Sequence, residues 1–145
     1  LSFGHKEYSG EEFSLLSKIS QQGTFIIVSA GNSNQKVNQI NPIYPCFYNI
    51  ENLFCVGASE KKQKAFWSNY GPRVKIYTSG LFQGHNFTSF SAPRISRFFY
   101  KAQKCSLNPL EILHTKTTLI NLQTQFLIDY SILDFCYIPK KHQPL

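Results

Sequence analysis

The chain has 145 residues, a length typical of one domain with a sizeable core. Hydrophobic residues make up 42% of the sequence and include 13 Phe, which excludes a disordered chain. The sequence contains no run of about 18 apolar residues, the length that would indicate a membrane span. The net charge of +7 comes from scattered Lys and Arg, so we expect a solvated basic surface and neither a nucleic-acid nor a membrane partner.

The predicted elements alternate between strand and helix in the first third of the chain. A short strand is predicted at Leu1–Phe3. A helix is predicted from Ser9 or Ser14 to Gln22, with Phe13, Leu16 and Ile19 on one face and Gly23 as its stop. Phe25–Ala30 is a continuous apolar run, as in a buried parallel strand.

The same alternation continues to about residue 118. A loop rich in Asn and Pro is predicted for Ser33–Tyr48, followed by strands at Leu53–Gly57 and Val74–Tyr77 and helices at Ser91–Lys104 and Pro109–Thr115. The alternation indicates an α/β sheet covered by helices on both faces. Leu119–Tyr137 reads either as a helix or as a pair of strands, and Pro139–Leu145 as a loose tail.

The cysteines give little information about chemistry. They are widely spaced, with no Cys-x-x-Cys, so neither a zinc site nor any other metal or cofactor is expected: Cys46, Cys55, Cys105 and Cys136. Cys55 lies in an apolar strand and is expected to be a small core residue. Disulfides and the cellular compartment stay open.

The stretch from Asn86 to Pro93, Asn-Phe-Thr-Ser-Phe-Ser-Ala-Pro, is the most informative in the chain. It places the hydroxyl of Ser89 just ahead of a Pro that fits the first turn of a helix. A Ser at such a helix start lies near the positive end of the helix dipole, which suits a nucleophile whose reaction builds up negative charge. Taken alone, a Ser/Thr cluster there is more often just an N-cap.

Three upstream segments accompany this stretch in a particular order. They are Gly23–Asn34, which ends in Ala30-Gly31-Asn32, then Asn52–Ser59, and then Ala65–Pro72 followed by Val74–Tyr77 and Gly80. With the stretch around Ser89 they resemble, over residues 1–118, the C-terminal half of the catalytic domain of a subtilisin-like serine protease (subtilase). The resemblance implies a three-layer α/β/α fold with a mostly parallel sheet, truncated at its N-terminus, and leaves residues 119–145 as a C-terminal extension of unclear structure.

The resemblance also implies roles for individual residues. Ser89 takes the position of the family's nucleophile and Asn32 that of its oxyanion-hole asparagine. Leu1-Ser2-Phe3-Gly4 resembles the strand along which the family binds substrate as an added β-strand. Further substrate-binding positions are Thr88, beside the nucleophile, and two segments that resemble walls of the specificity pocket, Ser29-Ala30-Gly31 and Ile43-Tyr44-Pro45.

The chain departs from the subtilase pattern in its missing triad partners. The triad needs an Asp and a His, which in subtilisin precede the Ser in the chain. Here the only Asp residues, Asp129 and Asp134, follow Ser89, and neither His5 nor His85 stands in the sequence context of the family's His. We therefore expect a fragment whose Asp and His lie in a missing N-terminal half.

Two further departures lie just before the nucleophile. Phe87 stands where the family has Gly, so Phe87 is expected to fill the pocket mouth, to displace the loop that carries Ser89, or to turn into the core. The segment between Gly80 and Thr88 is shorter than in the family, which predicts the loss of a hairpin.

Two functions from different classes follow from these observations. The first is a serine endopeptidase acting on protein or peptide substrates, with the isolated chain inactive for want of its Asp and His. The alternative is a degenerate subtilase-like domain that binds peptides or partner proteins without cutting them. A basic nucleic-acid module ranks far below, because it rests on Arg94, Arg97 and Lys101 sharing a helix face.

Overall fold

The computed structural model of the chain describes residues 1–116, 118–119 and 126–127. Its elements, in chain order, are α1 (Gly10–Gln21), β1 (Ile26–Ser29), β2 (Leu53–Glu60), β3 (Gln63–Lys64), β4 (Val74–Ser79), β5 (Leu81–Phe82), β6 (His85–Asn86), α2 (Thr88–Lys104), α3 (Pro109–Lys116), β7 (Thr118–Leu119) and β8 (Phe126–Leu127). The expectations for the rest of Leu119–Tyr137 and for Pro139–Leu145 lie outside the described residues.

The main sheet is mixed and partly parallel. Its strand order is β1-β2-β4-β8-β7, with β3 beside β2. β1, β2, β4 and β8 pair in parallel, whereas β3 and β7 each pair antiparallel with a neighbour. The three central predicted strands are confirmed as β1, β2 and β4, and the last two run on to Glu60 and Ser79.

The first helix packs on one face of this sheet. It begins after Ser9, whose Oγ accepts a hydrogen bond from the Glu12 N–H at 3.2 Å, so of the two predicted starts Ser9 is correct. Leu16 is buried, with Phe13 and Ile19 packed around it, against alternate side chains of the sheet: Ile26, Val28, Cys55, Val74 and Tyr77.

The other face of the sheet is covered by α2 and α3. Five apolar side chains of α2 are buried there: Ala92, Ile95, Phe98, Phe99 and Ala102. They pack on Ile27, Val56 and Ile76, and Leu113 of α3 completes the cluster. Helices therefore lie on both faces, and the N-terminus of α2 comes close to the carboxyl end of β1.

The start of α2 differs from the sequence-based expectation. The helix begins at Thr88 and not at Ser91, so Pro93 lies in its second turn. The prediction placed Pro93 in the first turn because proline is tolerated best there. Pro93 has no N–H, so the helix lacks the hydrogen bond that would normally reach the Ser89 carbonyl.

Two other expectations need correction. Leu1–Phe3 is not a strand, although Leu1 bonds to β1: its amino group donates to the Ile27 carbonyl at 2.6 Å and its own carbonyl accepts from the Ser29 N–H at 3.0 Å. The segment before Thr88 keeps a hairpin, because β5 and β6 pair through a two-residue turn. Both turn residues, Gln83 and Gly84, have the positive φ angles, 47° and 80°, that tight hairpin turns require.

A disulfide fastens the loop after β1 to the sheet. Cys46 and Cys55 are bonded, with their Cα atoms 5.0 Å apart, and both are buried. Cys55 is therefore a core residue as expected, but an oxidised one. In the described part of the chain, no helix is both long enough and apolar enough to cross a bilayer.

Candidate functional site

A cleft of about 260 Å³ opens where the carboxyl end of β1 meets the N-terminus of α2. Its lining contains most of the predicted site residues: Ser2, Phe3, Gly4, Ser29, Gly31, Asn32, Thr88 and Ser89. Three predicted residues lie outside the lining. Ala30 is fully buried, Leu1 bonds along β1, and Tyr44 pairs through its backbone with His5.

Ser89 is the second residue of α2 and is half-buried at the mouth of this cleft. In the first turn the Thr88 N–H donates to the Asn32 side chain at 2.8 Å and the Phe90 N–H to the Phe87 carbonyl at 3.1 Å. Within the described residues the Ser89 N–H has no such partner. A helix start with a free N–H is a donor site for negative charge.

Asn32 lies at the other side of the same helix start, on a segment that we call the oxyanion loop (Ala30–Gln35). Its Oδ1 accepts from the Thr88 N–H, so the amide is oriented with Nδ2 turned away from that bond. In return the Gly31 N–H donates to the Thr88 Oγ1 at 3.1 Å. The two bonds join the loop to α2 in both directions, and Asn32 itself remains exposed.

Two serine hydroxyls tie the start of α2 to its surroundings. The Ser89 carbonyl, left without a helical partner by Pro93, accepts a long hydrogen bond of 3.4 Å from the Ser2 Oγ. The buried Ser91 Oγ donates to the Thr78 carbonyl at the end of β4, at 3.1 Å. The nucleophile position is thus connected both to the edge of the cleft and to the sheet.

Ser2, Phe3 and Gly4 form an exposed backbone segment along the cleft. The backbone on either side of this segment is hydrogen-bonded. Leu1 accepts from the Ser29 N–H in β1 at 3.0 Å, and His5 exchanges two backbone bonds with Tyr44 at 2.8 and 2.9 Å. Among the described residues no backbone partner is present for the three residues between. Unpaired N–H and C=O groups of this kind are what an added peptide strand needs.

The oxyanion loop is also braced by an ammonium group. The Lys64 Nζ donates to the Asn34 Oδ1 at 3.1 Å and to three backbone carbonyls at 3.0–3.4 Å, those of Ala65, Phe66 and Ser68. Burial lowers the pKa of this ammonium from its ordinary value. Lys64 thereby links the loop to the segment that follows β3.

The cleft, its helix-borne serine and its asparagine can be compared with known proteins. The model of the subtilase family matches residues 1–125. The chain belongs to the subtilase family. Over 66 residues this subtilase is 36% identical to Subtilisin-like protease 11 of Arthroderma gypseum and 35% identical to that of Arthroderma benhamiae. Each alignment covers 45% of this chain and 15% of the relative, so the chain spans a small part of these curated relatives.

Solved structures show the same fold over a larger share. A protease from Pseudoalteromonas arctica matches 92% of this subtilase with a TM-score of 0.68 and 19% identity, over 49% of its own chain. A cold-adapted subtilisin-like serine proteinase matches 86% with a TM-score of 0.65 and 20% identity, over 51% of its chain. The architecture is therefore that of about half of such a protease structure.

The histidines of this subtilase chain occupy different surroundings. His5 lines the cleft, and its Nε2 lies 2.9 Å from the Glu12 Oε2. Glu12 also contributes, after burial, to raising the pKa of the neighbouring Tyr48 to about 12. His85 is exposed in the hairpin, and Asp129 and Asp134 lie outside the described residues. In the described part no group of three His, Cys, Asp or Glu could hold a metal ion.

Phe87 follows neither the expectation that it fills the pocket mouth nor the expectation that it turns into the core. Its backbone is extended, with φ −144° and ψ 148°, so replacing the family's Gly causes no left-handed strain. Its side chain is 44% exposed and lies near Phe90, with ring centroids 6.0 Å apart. It is neither in the core nor in the lining of the cleft.

One polar residue of the site escaped the sequence analysis. Asn69 lies beneath the cleft, only 1% exposed, and bonds to the oxyanion loop. In the sequence it appears within Ala65–Pro72, where Trp67 and Tyr70 dominate the pattern. The available signal was a Ser-Asn pair set between large aromatic residues, which is typical of a buried and hydrogen-bonded polar group.

Proposed function

We propose that the chain carries the nucleophile and the oxyanion donor of a serine endopeptidase. The observation that carries the proposal is the helix start, where the Ser89 hydroxyl, the free Ser89 N–H and the oriented Asn32 amide face one cleft. Two converging N–H donors beside a hydroxyl are the elements that acyl transfer needs.

In the proposed reaction the Ser89 Oγ attacks the carbonyl carbon of a peptide bond. The hydroxyl proton passes to a His base, and the carbonyl oxygen becomes an oxyanion that accepts hydrogen bonds from the Ser89 N–H and the Asn32 Nδ2. The positive end of the α2 dipole stabilises the same charge. Collapse of the tetrahedral intermediate expels the amine, which takes the proton from the His, and water then releases the acyl group.

In this proposal the His and Asp come from an upstream half of a three-layer α/β/α domain. Leu1 supports it, because its two bonds lie on either side of Val28 in the pattern of a parallel ladder. A strand that leads into Leu1 would therefore lie beside β1 and bring the upstream half to the cleft. Residues 1–118 then form the C-terminal part of the catalytic domain, and residues 119–145 a C-terminal extension.

The proposed substrate is a protein or peptide bound as an added strand. The unpaired backbone of Ser2, Phe3 and Gly4 supports this mode, since it borders the cleft that holds Ser89. The side chain of Ile43 lies under this segment, 3.0 Å from the point where a Gly4 Cβ would stand. Ile43 belongs to one of the two predicted walls of the specificity pocket, and it lines the cleft.

The second candidate is a domain that binds peptides without cutting them. It is favoured by the engagement of the cleft's own His5 with Glu12. Both candidates use the same strand-binding edge, so they differ only in whether Ser89 is activated.

A fluorophosphonate probe separates the two candidates. We expect the chain alone to stay unlabelled, and the chain combined with its native upstream segment, or with that of a close relative, to be labelled at Ser89, because only an activated hydroxyl reacts. Ser89→Ala should remove the label. Saturable peptide binding with no labelling in the complex would instead identify the non-cutting domain.

The oxyanion donor is tested in the same complex. Asn32→Ala should slow peptide cleavage about 10²–10³-fold with little change in KM, which is the magnitude known for loss of this donor in subtilisin. Asn49→Ala is the matched control, because Asn49 is exposed and bonded to Arg73 away from the cleft. If both variants cleave at the native rate, Asn32 is not the oxyanion donor.

A further inference from the structure

The oxyanion loop needs an explanation for its fixed shape, since most of it is exposed. Ser33, Asn34 and Gln35 are all on the surface, and the backbone is left-handed at Gly31 and Asn34, with φ of 97° and 51°. Exposed segments of this kind usually move. Yet a donor for a transition state must be held within about 0.5 Å of its working position.

Hydrogen bonds from the buried Asn69 hold the oxyanion loop in place from beneath. Its Nδ2 donates to the Ala30 carbonyl at 2.8 Å, and its Oδ1 accepts from the N–H groups of Ser33 and Gln35 at 3.0 and 2.9 Å. Its own N–H donates to the Gly31 carbonyl at 2.9 Å. These four bonds lie on both sides of Asn32 and involve none of its own atoms.

Asn69 is itself held rigidly. The buried Ser68 Oγ accepts from the Ala58 N–H in β2 and donates to the Asn69 carbonyl, both at 2.9 Å. Contact with Gly31 is close, since a Cβ added there would lie 2.5 Å from the Asn69 Nδ2. The side chain therefore transmits the position of β2 to the oxyanion loop.

The chemistry at this position demands an amide. The side chain donates to one carbonyl from its Nδ2 and accepts from two N–H groups at its Oδ1. A carboxylate has no donor, Leu has neither group, and the single oxygen of Ser does not occupy both positions. At 1% exposure water does not take over these bonds. Asn69 is also too deeply buried to touch a substrate.

We infer that Asn69 is a positioning residue for the proposed endopeptidase reaction, acting through Asn32. It holds the backbone on either side of Asn32 so that the amide meets the oxyanion in the transition state. This inference rests on the proposed function. It adds to the proposed site a buried group that positions the donor and is not in contact with the reacting atoms.

The first test does not depend on activity. Hydrogen exchange of the 145-residue chain should show that Asn69→Asp speeds exchange at the Ser33, Gln35 and Thr88 amides at least about tenfold. The carboxylate no longer donates to the Ala30 carbonyl and repels it, which displaces the loop that carries these bonds. Asn52→Asp is the matched control, since Asn52 also donates its amide to a carbonyl, that of Ser20, at the opposite end of the sheet. Unchanged exchange at all three amides would overturn the inference.

The second test is a double-mutant cycle in the active complex. Asn69→Asp should lower kcat about 10–100-fold with KM within about twofold, because a misplaced donor affects the transition state and not substrate binding. In the Asn32→Ala background the same change should have no further effect on kcat. An equal loss of kcat in both backgrounds would show that Asn69 acts independently of Asn32, and the inference would fall.

A second substitution guards against failure to fold. Asn69→Ser removes all three side-chain bonds without burying a carboxylate, and it should give the same pattern of exchange and the same coupling to Asn32. If neither the native complex nor any variant is labelled at Ser89, the proposed function fails and with it the kinetic role, while the exchange rates still decide whether Asn69 holds the loop.

Discussion

Two segments flank Ser89, the proposed nucleophile, at the start of α2, and they are built in opposite ways. The oxyanion loop is short of buried side chains of its own but is bonded from beneath by Asn69 and from the side by Thr88. The hairpin of β5 and β6 exposes about half of Leu81 and Phe82. Leu81 bonds to the Ser79 hydroxyl and to the Arg94 guanidinium, and the Phe87 N–H bonds to the Gly80 carbonyl at the base of the hairpin.

Under the proposed function, the difference shows which part of the site must keep a fixed geometry. A loop that presents a hydrogen-bond donor to a transition state must keep its shape, so its backbone is bonded to buried groups. A hairpin that only borders the cleft can change in length and sequence at little cost in stability.

The most direct test of this difference is to replace one glycine by alanine in each segment. Gly31 and Gly84 both have left-handed backbones, with φ of 97° and 80°. Gly31→Ala should lower the free energy of unfolding by about 2–5 kcal/mol, since backbone strain adds to a displaced Asn69 amide. Gly84→Ala has open space around it and should lose about 1–2 kcal/mol from strain alone. Urea denaturation of both variants measures the difference. Equal losses would mean that the two segments are equally constrained.

An intermediate effect is expected at the ammonium that braces the oxyanion loop. Lys64→Met leaves four oxygen acceptors without their donor and should destabilise the chain by about 1–3 kcal/mol. The neighbouring Lys62 is exposed, and Lys62→Met should stay within about 0.5 kcal/mol of the native protein. Thermal unfolding of the pair provides the measurement, and a harmless Lys64→Met would remove Lys64 from the bracing of the loop.

The smallest effect is expected in the hairpin. Phe82→Ala removes one tilted ring contact with Phe90, at 5.3 Å between centroids, from a side chain that is already 49% exposed. We expect a loss of about 0.5–1 kcal/mol in urea denaturation and an unchanged KM in the active complex. A loss as large as that of Gly31→Ala would show that the hairpin is as tightly determined as the oxyanion loop.

The strands and the helix faces could be predicted because their signals are local. Ile26–Ser29 is a run of apolar, mostly β-branched residues, and Phe13, Leu16 and Ile19 recur at helical spacing. The cleft residues could be named only through the family resemblance. Nothing in the spacing of Asn32 and Ser89, 57 positions apart, places them at one helix start.

The remaining features depend on partners that are distant in sequence. Asn69 finds its partners 34 to 39 residues away, so its role has no local pattern. The same holds for the start of α2, because the acceptor that fixes the Thr88 N–H belongs to Asn32. Four cysteines allow three pairings, and spacing alone does not choose the bond between Cys46 and Cys55.

The length of α2 has a consequence for how the protein can vary. Ser89 lies at one end of a 17-residue helix, which is about 25 Å long at 1.5 Å per residue. A tilt of only about 5° about its far end would move the hydroxyl by roughly 2 Å, and a shift of about 1 Å is enough to slow such reactions about 100-fold. Phe98 and Phe99 set that angle by packing on the sheet. Under the proposed function, substitutions of these core residues, distant from the cleft, would therefore change the reaction rate while the fold survives.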